Sequence, residues 1–122
     1  MNDVVTRIKG DPEPVICGVC RRRAYGYGYA GRQGRAILWT CDDPDCWSVS
    51  RSVYEMPKSS LDEFEKAARD DAGALAGQYL DRIGKSDLGA LTKEEWQTFL
   101  HQVLVGFEDS LRRRFLENAA PF

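Results

Sequence analysis

"CDDPDCW", residues 41–47, decides how the first half of the chain folds. Two cysteines flank two aspartates, a proline and a third aspartate. Asp43 followed by Pro44 reads as a helix start. The aspartate caps free backbone N–H groups, and proline suits the first helical position because it has no N–H to leave unpaired. Cys46 then falls in the first turn of a helix that runs through "WSVSRSVYEM". On it Val49 and Val53 share one side, Trp47, Ser50 and Tyr54 lie along another, and Pro57 closes it. Cys41, by contrast, sits at the end of "AILWT", residues 36–40, which is β-branched and aromatic as strands are.

Reading outward, "GRQGR" at 31–35 supplies turn residues, and "AYGYGYA" at 24–30 alternates at period two. Residues 21–40 therefore form a β-hairpin, with Tyr25, Tyr27 and Tyr29 on one face. Ahead of the hairpin stands "CGVC", residues 17–20, which holds the remaining two of the four cysteines. A C-x2-C turn aims two sulfurs at one centre. The twenty residues between Cys20 and Cys41 suit a hairpin that brings the pairs together. Four thiolates match tetrahedral zinc, so Cys17, Cys20, Cys41 and Cys46 are the expected ligands of one Zn2+. A closed four-cysteine shell leaves no position for a catalytic water, which makes the site structural. The competing readings are four unlinked buried thiols or disulfides. Redox chemistry at "CGVC" would need a βαβ setting, which the pattern lacks. A knuckle, a hairpin and a helix carrying the last ligand give a treble-clef-like module; a zinc ribbon with a second knuckle is the alternative.

The composition changes at Pro57, beyond which Ala, Leu, Glu and Arg dominate. Ser60 with Glu63 reads as a capping box. Phe64, Ala68, Ala72, Leu75, Tyr79 and Ile83 then follow helical spacing up to a stop at Gly84. Thr92 with Glu95 is a second capping box, with Leu91 and Trp96 as its hydrophobic staple. Trp96, Leu100, Val103, Phe107 and Leu111 continue to about Asn118. The short connection "GKSDLGAL" implies antiparallel packing. Gly73 and Gly77 in "GALAG" each cost about 1 kcal/mol against alanine, which close packing of the second helix would explain, with a contact between copies of the chain as the alternative. The expected fold is α+β. An N-terminal arm at 1–14 (strand or loose) precedes a zinc module at 15–57 and a helical hairpin at 58–122.

Several features have a bland reading beside a functional one. Arg21, Arg22, Arg23, Arg32 and Arg35 form a basic set that suits phosphates, or a solvated face that partly balances the thiolates. The tyrosine row suits base stacking, or packing on the adjoining helix. His101 is the single histidine and has no nucleophile to pair with. Asp70/Asp71 and Glu94/Glu95 read as solvated carboxylates. "RRRF", residues 112–115, reads as cations opposing a helix dipole.

Net charge is −2. Residues 1–58 hold nine Lys/Arg against seven Asp/Glu, and residues 59–122 eight against twelve, which is +2 and −4. This balance does not announce a polyanion binder. No run of about eighteen apolar residues predicts a membrane span. "MNDVVTRIKGDPEP" carries charges where a signal peptide needs an apolar stretch, so a cytoplasmic setting is expected. No phosphate loop, nucleophile elbow or metal-hydrolase motif occurs, and no enzymatic activity is expected.

"CGVCRRRAYGYGY", the later cysteine pair ahead of a helix, and "QYLDRIGKSDLGALTKEEWQTFLHQVLVGFEDSLRR" together resemble a family of small uncharacterised proteins from phages and prophages of alphaproteobacteria and their relatives. The resemblance spans about residues 15–116, and "YLDRIGKSDLGALTKEEW" is its most distinctive part. It implies a mobile-element origin, a zinc-binding head and a helical tail in a bacterial host cell. The function expected is binding. An unidentified host or phage protein is the first candidate partner, with interference in a host process or defence fitting the origin. Nucleic acid at the arginines and tyrosines is the second, and a structural virion role is the third.

Overall fold

The computed structural model describes residues 16–120, so the expected arm at 1–14 lies outside the described residues. Strand β1 (Tyr27–Tyr29) pairs antiparallel with β2 (Leu38–Thr40), Tyr27 opposite Thr40 and Tyr29 opposite Leu38. Helix α1 (Pro44–Tyr54) follows at once, then α2 (Lys58–Ile83), a 3-10 turn at Leu88–Ala90, and α3 (Lys93–Glu117). The fold is α+β, a hairpin module followed by a helical hairpin. Tyr25 lies ahead of β1, so the tyrosine row is shorter than the alternation implied.

Helix α1 starts as its sequence requires. Asp43 is the N-cap and accepts from Asp45 N at 2.9 Å, with Pro44 in the first helical position. The helix has two covered sides. Val49 and Val53 are buried in the main apolar cluster. On the other side Trp47 lies 4.6 Å from the Tyr27 ring, and Tyr54 meets Tyr29 edge-on at 5.1 Å. Trp47 Nε1 also donates to Cys41 O at 2.9 Å, pinning the helix to the end of β2.

Helix α2 begins earlier than its sequence suggested. Pro57 is the N-cap, without a side-chain cap, and its carbonyl accepts from Ser60 N and Leu61 N. Ser60 therefore sits inside the first turn and the Ser60/Glu63 capping box does not form. Proline already holds the dihedral a helix entry needs. Starting there also carries Leu61 and Phe64 to the core. The 26 residues of α2 span about 39 Å. Gly84 ends it at φ 69°, where Gly84 N donates to Asp81 O and Lys85 N to Leu80 O, the two bonds of a Schellman motif. The Thr92/Glu95 capping box opens α3, and Lys85 Nζ reaches the same Glu95 carboxylate at 2.6 Å.

The two long helices run antiparallel. Phe64 packs on Phe115 at one end, and Lys85 joins Glu95 at the other. Midway Asp71 accepts from Ser110 Oγ at 2.5 Å, from Arg114 Nε at 2.9 Å and from Arg113 Nη2 at 3.2 Å. Asp71 is thus an interhelical clasp rather than a solvated carboxylate. The close approach occurs at Gly106, where a β-carbon would lie 3.1 Å from Leu75 Cδ1 and 3.3 Å from Ala72 Cα. Among the described residues nothing lies within 4 Å of that position at Gly73 or Gly77, so the two glycines of "GALAG" do not serve the helix contact. Alanines 68, 72 and 76 do. Leu75 and Leu100, expected in the stripe, are 41% and 39% exposed.

One apolar cluster joins the halves. It contains all four cysteines with Val19, Val49 and Val53, and also Ala68 of α2 and Leu111 and Phe115 of α3. Ala120 N donates to Ser52 Oγ at 3.0 Å, tying the segment after α3 to α1. Among the described residues, no helix is long and apolar enough to cross a membrane.

Candidate metal centre

The first cysteine pair sits in a tight knuckle. Val19 N and Cys20 N point at Cys17 Sγ, at 3.4 and 3.5 Å. Arg21 closes the turn at φ 71°, its N–H bonded to Cys17 O, while Arg22 O accepts from Cys17 N at 2.6 Å. A left-handed non-glycine residue is uncommon. Here the Arg21 side chain stabilises it by bonding back to Gly18 O and out to Glu65 at 2.7 Å. Gly18 N donates to Trp39 O, which fastens the knuckle to β2.

The second pair is wide because its members come from different elements. Cys41 follows β2, and Cys46 is the third residue of α1, its N–H on Asp43 O at 3.0 Å. The residues between make the cap. The helix N-terminus favours negative charge on Cys46.

All four Sγ atoms lie within 4.8 Å of one another, and all four cysteines are buried and free. Cys20 Sγ and Cys41 Sγ are 3.8 Å apart. Sulfurs about 2.3 Å from a tetrahedral zinc are separated by about 3.8 Å, whereas a disulfide needs about 2.0 Å. The donor set therefore fits one soft divalent ion and is compatible with zinc. The thiols conflict when left to themselves. Hydrogen bonds from Cys20 and then Cys46 push Cys17 far below its ordinary value. Burial raises Cys41, and the bonds to Cys17 and Cys20, with burial, push Cys46 far up. A dication favours the ionised form of all four at once.

The arginines of the basic set are largely engaged within the chain. Arg21 pairs with Glu65 at 2.7 Å and Arg32 with Glu55 at 2.7 Å. Arg22 lies between Asp43 and Glu108, at 4.0 and 3.8 Å. Arg35 covers the Tyr54 ring at 4.1 Å and donates to Tyr54 O. Arg23 lies over Tyr25 at 6.0 Å, the most exposed of this set's ring contacts. Tyr27 and Tyr29 are taken up by Trp47 and Tyr54 of α1. His101 is exposed on α3, apart from the cysteines.

Arg112 was read as a dipole-opposing cation of "RRRF", and it has a different setting. Its Nε lies 3.5 Å from Asp43, the cap residue three positions before Cys46. The pairing with Asp43 is invisible to local pattern, because Asp43 comes from the other half of the chain; Asp109, one turn back on α3, is the local partner at 2.8 Å.

Residues 59–122 match DUF6511, a family of unknown function. The chain belongs to this family. The DUF6511 segment spans α2 and α3 and contains none of the four cysteines. No curated protein and no solved structure matches the chain.

Proposed function

We propose that this DUF6511 chain is a non-enzymatic phage or prophage accessory protein, and that it acts in the host cytoplasm by presenting its helical hairpin to a protein partner. One structural Zn2+ held by Cys17, Cys20, Cys41 and Cys46 staples the hairpin module against α3. The observation that carries this reading is a row on α3. Trp96, Leu100 and Leu104 recur every fourth residue, so they share a face, and they are 42%, 39% and 62% exposed. Leu111 and Phe115 continue that row at helical spacing and are fully buried beside the cysteines. The module thus covers one end of a continuous apolar stripe and leaves the other open. Apolar anchors of this kind form the centres of protein interfaces.

The nucleic-acid reading is weaker on physical grounds. A phosphate approaching Arg21 or Arg32 would compete with a carboxylate at 2.7 Å, and Tyr27 and Tyr29 each already make a ring contact with α1, although Tyr27 stays 48% exposed. Four cysteines completing the metal's shell leave no site for an activated water, which supports a structural role.

The test places a photo-crosslinking residue at position 104 of the full chain in the host cell. A discrete adduct with one other protein, lost in Leu100→Glu, is expected. An adduct unaffected by Leu100→Glu overturns the reading, as does oligonucleotide binding that falls steeply with salt. An adduct between two copies of the chain would favour the virion-component alternative.

A further inference from the structure

Helix α3 reaches the cap of the helix that carries Cys46 through Arg112. The Arg112 side chain is only 14% exposed. Its Nη2 bonds Asp109 at 2.8 Å and its Nε faces Asp43 at 3.5 Å, while Nη1 is buried with no hydrogen-bond partner among the described residues. Burial opposes its charge. Asp43, Cys46, Cys20 and Asp109 more than offset that and hold the guanidinium above its ordinary value. A second guanidinium approaches from the knuckle: Arg22, which follows Cys20 by two residues, lies 3.8 Å from Glu108 and faces the same Asp43. Asp43 lies between the two, 4.0 Å from Arg22 and 3.5 Å from Arg112. It also caps the helix that carries Cys46.

Four thiolates around a dication carry a net charge of −2, which a buried site must balance with nearby donors. Two arginines converge on Asp43, the residue that caps the helix carrying Cys46. We propose that Arg22 and Arg112 are the counter-cations of the thiolate–metal centre, so that metal affinity depends on α3 being docked against the module. Arg112 is a positioning and charge-balancing residue and not a ligand. The DUF6511 hairpin would then help to bind a metal for which it supplies no ligand.

The inference rests on the metal reading, and the test separates the two. Full-length wild type, Arg112→Lys, Arg112→Gln and Arg22→Met are titrated with zinc against a chromophoric chelator, and their cobalt forms are compared by absorption. Loss of an outer partner of a metal ligand typically lowers affinity about 10- to 100-fold. Arg112→Gln and Arg22→Met are expected to fall in that range, Arg112→Lys to recover part of the loss, and the thiolate-to-cobalt charge-transfer band to shift in Gln and Met. A folded Arg112→Gln with wild-type zinc affinity and an unshifted band overturns the proposal. Circular dichroism reports folding. If Arg112→Gln does not fold with metal present, Arg22→Met decides by the same two readouts, since its side chain is 45% exposed in the parent and leaves little core behind. A wild-type chain that takes up neither metal overturns the metal reading itself.

Discussion

Glycine-to-alanine changes at three helical positions should have opposite signs. Gly73 and Gly77 have no atom within 4 Å of an added β-carbon, so alanine there meets nothing. Each change should stabilise by about 1 kcal/mol through helix propensity and a less free unfolded chain. Gly106 is different. The added carbon would lie 3.3 Å from Ala72 Cα, which is backbone, and 3.1 Å from Leu75 Cδ1, which can rotate away because Leu75 is 41% exposed. The same propensity gain of about 1 kcal/mol then works against an overpacking cost of about 1–3 kcal/mol. Gly106→Ala should therefore be neutral to about 2 kcal/mol destabilising. In a chain of this size, about 1 kcal/mol moves Tm by a few degrees. Melting followed at 222 nm, with zinc in excess for every variant, is the assay. Gly73→Ala and Gly77→Ala should each raise Tm by about 3–5 °C, and Gly106→Ala should lower it or leave it unchanged. A gain at Gly106 equal to that at Gly73 would refute the close crossing. A loss at Gly73 or Gly77 would show that another surface packs there.

Chelation should destabilise the whole chain and not the module alone, because Leu111, Phe115 and Ala68 share a cluster with the four cysteines. Zinc binding is worth roughly 10–16 kcal/mol in small zinc-dependent folds. The expected result is one cooperative transition with metal and a much lower one without it. A helical melt unchanged by chelator while the near-ultraviolet signal of Trp39 and Trp47 collapses would refute the shared core. Asp71→Asn should be less stable than wild type at neutral pH. The Ser110 hydroxyl, with Arg114, lowers the Asp71 carboxyl below its ordinary value, so its contribution is full above about pH 4 and is lost as the pH falls through the folded pKa. Melts of the two proteins should converge on acidification, since metal loss is common to both; a gap that stays constant to pH 3 would show that the charge is irrelevant.

The features legible in the sequence are those whose partners lie within one turn. Asp43 caps α1 through Asp45, Thr92 and Glu95 close a reciprocal box, and Gly84 adopts the left-handed stop. The cysteine spacing was equally local, since each pair is fixed by its own knuckle or cap, and four thiols in two pairs admit few alternatives. Ser60 with Glu63 had the right pattern and still failed, because Pro57 opened the helix first and the core drew Leu61 and Phe64 inward. Long-range choices were not legible. Periodicity showed that each long helix has an apolar face, but which small residue meets the other helix depends on where they cross. That turned out to be Gly106 with the alanines, and Gly73 and Gly77 are left facing open space. Asp71 looked like a member of a charge run because its partners are distant in sequence, and so did Arg112, whose pairing with Asp43 crosses the chain.

The distribution of apolar groups along α3 explains why the module and the hairpin belong together. A two-helix hairpin has one narrow interface, and here much of that interface on α2 is alanine, which buries little surface. The larger side chains gather at the end where Phe64 meets Phe115 and Leu111 reaches the cysteines. That end would be exposed without the module, and the module has too few apolar residues to fold well without a metal. Each part supplies what the other lacks: a metal held by the four cysteines would order the module, and the module helps to bury Leu111 and Phe115. The same division leaves Trp96, Leu100 and Leu104 without a cover at the far end. Charging Leu100 by substitution to glutamate should then leave the metal-dependent melt almost unchanged while removing the adduct formed from position 104, whereas the same change at Leu111 should abolish the folded, metal-loaded state. Equal losses of stability at both positions would mean that the stripe is one intramolecular core and that no face has been left for a partner.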